Sequence, residues 1–122
     1  MAVASALQRA GWDVFVPLFA PHARVDLVIG AGDRLLRVQC KTSRIEKGAV
    51  VFRTCSNTGN VPIDYREQVD AFGVFSPERN EVYLVPIAEL GVRGCSLRID
   101  PPRNGQTVGI RWASDFLVGP PH

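Results

Sequence analysis

The sequence predicts a mixed α/β or α+β domain: a central sheet of short strands with little helix. Three observations point there. Runs of β-branched and aromatic residues recur with period-two alternation. Turns rich in Gly, Asn and Pro separate them at short spacing. Clear helical spacing marks only the amino-terminal segment.

Taken in order, residues 2–10 read as a short helix. Ala2, Val3, Leu7 and Ala10 recur near helical spacing, and Gly11 stops it. Trp12 to Leu18 alternates Trp12, Val14, Val16 and Leu18 and reads as a strand ending at Pro17 to Pro21. Arg24 to Gly30 is a second strand, apolar except for Asp26. Gly30-Ala31-Gly32-Asp33 is a turn. Arg34 to Ser43 is a third strand, with Leu36, Val38 and Cys40 on one face and Arg37, Gln39 and Lys41 on the other. Residues 49–54 make a fourth strand, 55–63 a polar loop, and Tyr65 to Gln68 a helical turn.

Val69 to Phe75, carrying Asp70, and Glu81 to Val85 form a hairpin across Ser76-Pro77-Glu78-Arg79-Asn80. Pro86 to Leu90 reads as a short helix with proline at its first position. Ser96 to Ile99 is a strand, and Val108 to Leu117 closes the chain with a short helix. Apolar edge strands such as Val82 to Val85, and that terminal helix, are candidate interfaces. Trp12 and Trp112 are expected in the core.

The length of 122 residues suits one domain, and residues 1–122 are read as such. A composition of 46% hydrophobic and 21% charged residues excludes global disorder. The longest apolar stretch, Val14 to Pro21, contains Pro17 and falls far short of the roughly 20 residues of a membrane helix. The first ten residues lack the apolar core and cleavage site of a signal peptide. Cys40, Cys55 and Cys95 form no metal-binding pair and suit small buried thiols in a reducing cytoplasm. Gly30-Ala-Gly32 has no third glycine at the dinucleotide spacing, so no organic cofactor is expected.

The net charge of +2 is unevenly divided. Residues 1–61 hold eight basic side chains against four acids, and residues 62–122 hold six against eight. A basic amino half suits a local anion-binding face; scattered solvated charges would read the same way.

One constellation carries chemistry. Gln39 and Lys41, two apart in a strand, project together. Asp26 lies in the preceding strand, and pairing across the tight turn puts it roughly opposite residues 38–39. A carboxylate, an amide oxygen and an ammonium therefore converge. That set suits metal-assisted phosphodiester hydrolysis, with Asp26 binding Mg²⁺, Gln39 adding a neutral oxygen and Lys41 steadying the attacking water or the developing charge. Polar residues simply turned to water would share the spacing. His22 reads as a surface loop residue.

Longer stretches resemble a known family. Gly11-Trp-Asp-Val, Val25-Asp-Leu-Val-Ile and Leu36-Arg-Val-Gln-Cys-Lys-Thr-Ser are similar to the core of the PD-(D/E)XK nuclease superfamily. Within it they resemble the group I intron-encoded homing endonucleases and phage relatives that carry Gln-x-Lys. The similarity continues through Val69-Asp-Ala-Phe-Gly-Val-Phe-Ser-Pro-Glu, Glu81-Val-Tyr-Leu-Val-Pro-Ile, Leu97-Arg-Ile, Asn104-Gly-Gln106 and Ile110-Arg-Trp-Ala113.

The resemblance implies a restriction-endonuclease-like mixed sheet with few flanking helices. It also implies Mg²⁺-dependent cleavage of double-stranded DNA by a homodimer or homotetramer. Asp26 takes the place of the motif aspartate, Gln39 that of the usual acidic residue, and Lys41 that of the motif lysine. Arg44, Lys47, Arg53, Tyr65 and Arg66 are expected to contact DNA. Asp70 is expected to support the site, either orienting Lys41 or serving as a buried, hydrogen-bonded structural carboxylate.

Two positions depart from the family pattern. Val25 stands at the name-giving proline. The first helix, where the family places a metal-binding Glu, contains no acid, so the domain is expected to be short at its front end. Two further readings follow: a Holliday-junction resolvase, or a nuclease-derived DNA-binding module without full catalysis.

Overall fold

Val3 and Leu7, four residues apart, are the buried face of α1 (Ala2–Arg9). Gly11, at φ +106°, ends the helix in a left-handed turn in which its N–H reaches Gln8 O and the N–H of Trp12 reaches Leu7 O. In the computed structural model of the protein, the described residues are 2–18, 25–53, 56–58, 61–63, 69–89, 94–101 and 110–121.

The chain then runs through β1 (Asp13–Phe15), β2 (Leu27–Ala31) and β3 (Arg34–Thr42). β1 is shorter than its alternation predicts: Val16 and Leu18 are 68% and 82% exposed, with no described layer over them. Gly32, at φ +65°, leads the two-residue turn Gly32-Asp33 that joins β2 to β3, pairing Ala31 with Arg34.

β4 (Arg44–Glu46) and β5 (Ala49–Arg53) follow across Lys47 and Gly48, both at positive φ. The polar stretch read as a loop contains two three-residue strands instead, β6 (Ser56–Thr58) and β7 (Val61–Ile63), paired with each other. The helical turn expected over Tyr65 to Gln68 lies outside the described residues. β8 (Ala71–Ser76) and β9 (Glu81–Pro86) form the predicted hairpin. A single 3-10 turn, Ile87–Glu89, follows. β10 (Gly94–Arg98) and a second 3-10 turn, Ala113–Phe116, complete the described elements.

The main sheet has the order β1-β2-β3-β8-β9 and is mixed: β3 and β8 run parallel, the other neighbours antiparallel. A second sheet, β10-β5-β4, packs on one of its faces. Alternation along β3, β8 and β9 divides the apolar residues between two cores. Val38, Trp12, Leu27, Ile29 and Val82 pack with Val3 and Leu7 of α1. Phe72, Val74, Tyr83 and Val85 pack with Val50, Phe52, Cys95 and Leu97 of the second sheet.

The order is thus helix, five-stranded sheet, three-stranded sheet. No helix among the described residues is long and apolar enough to cross a membrane. Trp12 is buried as expected and donates from Nε1 to Gly119 O at 3.0 Å, tying the terminal segment to the first corner; Trp112 is half-buried.

The edge strand β9 is not the apolar interface the sequence suggests. Val82, Tyr83 and Val85 are buried in the two cores, and the terminal segment covers the edge: Leu117 bridges to Tyr83, and Val118 N donates to Val82 O.

Gly73 is where the helix meets the sheet. A Cβ there would lie 2.5 Å from Val3 Cγ1 and 3.2 Å from Val38 Cγ1. Val3 is β-branched and stiff within a helix, so it has little room to yield. Gly73→Ala is expected to push α1 outward and lower stability by about 1–3 kcal/mol, read as a lower urea midpoint with an unchanged slope.

Candidate functional site

The antiparallel register of β2 and β3 decides where the predicted trio falls. Leu27 pairs with Val38 and Val28 with Arg37, so extending the ladder by one residue sets Asp26 opposite Gln39. The backbone N–H of Asp26 donates to Val38 O at 2.9 Å. Its carboxylate Oδ2 accepts from the backbone N–H of Cys40 at 2.8 Å. The carboxylate is thus held against β3 by a charge-assisted hydrogen bond, beside the two side chains the sequence grouped with it.

In the parallel ladder, Gln39 pairs with Phe72 and Lys41 with Val74. Both belong to the sheet face that meets the second sheet, together with Arg37; Leu36, Val38 and Cys40 face α1. This is the division of faces that the alternation predicts. Lys41 Nζ lies over the Phe72 ring, 5.8 Å from its centroid. That is a cation–π contact on a fully buried aromatic.

Gln39 Oε1 is buried and has no hydrogen-bond partner. A buried acceptor left unmatched costs roughly 1–3 kcal/mol, so its presence marks a site that an incoming donor or cation would satisfy. Among the described residues no three His, Cys, Asp or Glu side chains gather as a metal cage. Mg²⁺ does not require one: it commonly takes one or two protein carboxylates and completes its shell with water and substrate phosphate oxygens. One carboxylate and one orphaned amide oxygen on adjacent strands fit that demand.

Cys40 turns its thiol to the helix side of the sheet. Burial, and then the Asp26 charge, push its pKa up to about 11. It is a neutral packing group.

Asp70 finds its partner in Arg37. Its Oδ2 accepts from Arg37 N at 2.8 Å and Nε at 3.1 Å, and Oδ1 accepts from Nη2 at 3.2 Å. The hydrogen-bonded guanidinium holds the Asp70 carboxyl below its ordinary range. Asp70 is thus hydrogen-bonded as expected but half-exposed rather than buried. An ion pair this open is screened by solvent and contributes little to stability. Asp70 N also donates to Arg37 O, so the pair staples the start of the β3–β8 ladder.

The basic residues expected at DNA lie at the second sheet. Arg44 is exposed on β4 and ion-paired to Glu46 at 2.6 Å. Lys47 is exposed in the β4–β5 turn, and Arg53 is exposed at the end of β5. Tyr65, Arg66 and His22 lie outside the described residues. The sequence reading missed Arg37, although Arg37, Gln39 and Lys41 alternate on one face. It also missed Phe72 and the amide of Cys40, whose roles depend on strand partners more than ten residues away.

A mixed sheet flanked by one helix, with the second sheet on its other face, is the restriction-endonuclease-like class of fold. The chain belongs to the PD-(D/E)XK endonuclease family, whose sequence profile matches residues 1–118. It is similar to the solved structure of a bacterial homing endonuclease, I-Ssp6803I, with a TM-score of 0.68 and 26% identity over 95% of this chain and 83% of that one. It also shares the fold of Hjc, a Holliday junction resolvase from Archaeoglobus fulgidus, with a TM-score of 0.51 and 14% identity over 79% of this chain and 84% of that one. No curated protein sequence matches the chain.

Proposed function

We propose that this protein is an Mg²⁺-dependent endonuclease that hydrolyses phosphodiester bonds of double-stranded DNA, of the homing or phage type. The observation that carries the reading is the convergence of Asp26, the orphaned Gln39 Oε1 and Lys41 on one sheet face. The likeness to a homing endonuclease supports it. In this reading residues 1–122 act as one nuclease domain, and two copies act together because a duplex has two strands.

Asp26 and Gln39 would hold the cation, Asp26 through the oxygen that Cys40 N leaves unused and Gln39 through Oε1. When bound, the cation supplies Lewis-acid polarisation of the scissile phosphate. Lys41, two residues along β3 on the same face as Gln39, would steady the attacking water and the charge that grows on the phosphate oxygens. The half-buried face excludes part of the solvent, which strengthens both effects. Arg44, Lys47 and Arg53 meet the backbone phosphates without reading sequence.

A second reading is favoured by one observation. The first helix, AVASALQR, has no acidic residue, and among the described residues no three His, Cys, Asp or Glu side chains gather as a metal cage. A binding module that holds DNA without cutting it would have this donor set.

One experiment separates the readings. The protein is incubated with linear duplex, supercoiled plasmid and four-way junctions, with and without millimolar Mg²⁺, and Mg²⁺ binding is titrated by calorimetry. The nuclease reading expects Mg²⁺-dependent nicking or cutting of duplex DNA. Salt-sensitive DNA binding with neither cleavage nor Mg²⁺ binding selects the binding module. Cleavage confined to four-way junctions selects a resolvase.

A further inference from the structure

We propose that Arg37 is a phosphate clamp: fixed by Asp70, it holds the phosphate next to the scissile one on the same nucleic-acid strand. Arg37, Gln39 and Lys41 form one row on the site-bearing face of β3. Arg37 stands two positions from Gln39, about 6.6 Å along the strand, a step of the same order as that between successive phosphates of a nucleic-acid chain. On β2 its partner is Val28, so no carboxylate stands directly across from it.

The geometry of the Arg37–Asp70 pair argues for more than a staple. Arg37 N donates to Asp70 Oδ2 at 2.8 Å, and Asp70 N donates to Arg37 O at 2.9 Å. Both bonds use backbone groups of Arg37, so they tie β3 to β8 without its side chain. The guanidinium adds a fork: Nε donates to Oδ2 at 3.1 Å and Nη2 to Oδ1 at 3.2 Å. With 43% and 36% of the two side chains exposed, that fork does little for stability. What it does is aim. A guanidinium is planar, so a carboxylate on its Nε edge fixes the direction of the whole group and lowers the entropy cost of a further contact. Asp70 is itself held, since Ile87 N donates to its backbone carbonyl at 2.9 Å.

Exposure tells from which end a ligand arrives. Gln39 Oε1 is buried, and Lys41 lies over Phe72, where the second sheet packs. Toward the start of β3 the same face opens: Arg37 is half-exposed and Leu35 is 64% exposed. Among the described residues, a phosphodiester chain with one phosphate at Asp26 and Gln39 has its open path past Arg37. The pair carries no net charge, so it acts by direction at short range rather than by long-range attraction. Only the identity of the central phosphate as the scissile one rests on the endonuclease reading.

The test uses the double variant Arg37→Gln, Asp70→Asn, which removes both charges and leaves the net charge of the protein unchanged. Binding of a short linear duplex is followed by fluorescence anisotropy over a range of salt concentrations, and folding by urea denaturation. The variant is expected to fold, to bind about tenfold more weakly, and to show a salt slope shallower by about 0.9, the share of one phosphate contact. A merely structural pair would move the urea midpoint but leave the affinity and salt slope of the folded protein unchanged; that result overturns the proposal. Should the double variant fail to fold, Arg37→Lys is read in its place. It keeps the charge but not the fork, so a severalfold loss of affinity is expected, and an unchanged affinity overturns the proposal.

Substrate chemistry then places the contact. Duplexes are made with one neutral methylphosphonate on either side of the cut position. Neutralising one of the two neighbours is expected to slow wild-type cleavage at least tenfold and the double variant no further. Equal losses in both proteins, or no loss in the wild type, overturn the proposal. The nuclease reading fails separately: duplex binding that depends on Arg37 without Mg²⁺-dependent cleavage keeps the clamp and sinks the nuclease, and cleavage indifferent to Arg37 does the reverse.

Discussion

Lys41→Ala is expected to lower the rate of Mg²⁺-dependent DNA cleavage by about 10²–10³-fold, the loss seen when one preorganised electrostatic group is removed from a reacting phosphate or oxyanion. The size follows from where the ammonium sits. Lys41 projects from β3 on the same face as Gln39, with Nζ over the buried Phe72 ring. An ammonium over an aromatic face and partly shielded from bulk water is worth more to a developing negative charge than the same group in solution. Lys41→Arg restores the charge but not the compact point-like donor, so only partial recovery is expected.

Folding is expected to survive, since Lys41 is half-buried and contributes little apolar packing. DNA affinity is expected to fall only modestly, because several arginines remain. Single-turnover cleavage with enzyme in excess, measured beside a binding isotherm, separates the two effects. A variant that cuts as fast as wild type removes Lys41 from the site.

Phe72→Ala carries the largest expected cost to stability, about 3–5 kcal/mol. Phe72 is fully buried at the centre of the core between the two sheets, and its ring packs against Phe52 at a centroid distance of 6.0 Å and an interplanar angle of 60°. Truncation leaves a cavity where β8 meets β5 and removes the floor beneath Lys41. Against a total stability of about 5–15 kcal/mol for a domain of this kind, the loss is a large fraction. A fall in the thermal midpoint of roughly 10–20 °C follows. Phe72→Leu keeps most of the volume and is expected to lose far less. If Phe72→Ala melts within a few degrees of wild type, the two-sheet core is not the main support of the fold.

Much of the site is legible in the sequence. Alternation along Arg34 to Thr42 placed Gln39 and Lys41 on one face and Cys40 on the other, because side chains alternate strictly in a strand. The tight Gly32-Asp33 turn set the register that brings Asp26 to Gln39. The strands of the Ser76–Asn80 hairpin were found for the same reason: their pattern is local.

Errors arose where a pattern was local but its burial was not. Val16 and Leu18 continue the alternation of β1, yet no described strand or layer completes it. Val82 to Val85 looked like an apolar edge because neither the terminal segment that covers it nor the two cores that bury it can be read from those residues. β6 and β7 fall where the sequence predicts a loop, because that stretch is polar and rich in turn formers.

Residue pattern alone carries the sheet-rich class, the family resemblance and the placing of Asp26 opposite Gln39, with Lys41 on the same face. Those depend on period-two geometry and on a two-residue turn, both of which act over a few residues. That β3 and β8 lie side by side in parallel is set by long-range packing. It thereby joined Arg37 to Asp70 and set Phe72 under Lys41, across 33 and 31 positions of chain. The same structure left Phe15 and Leu35 uncovered. Parallel pairing needs a crossover, and here that crossover carries its own strands; no local pattern encodes where it lands.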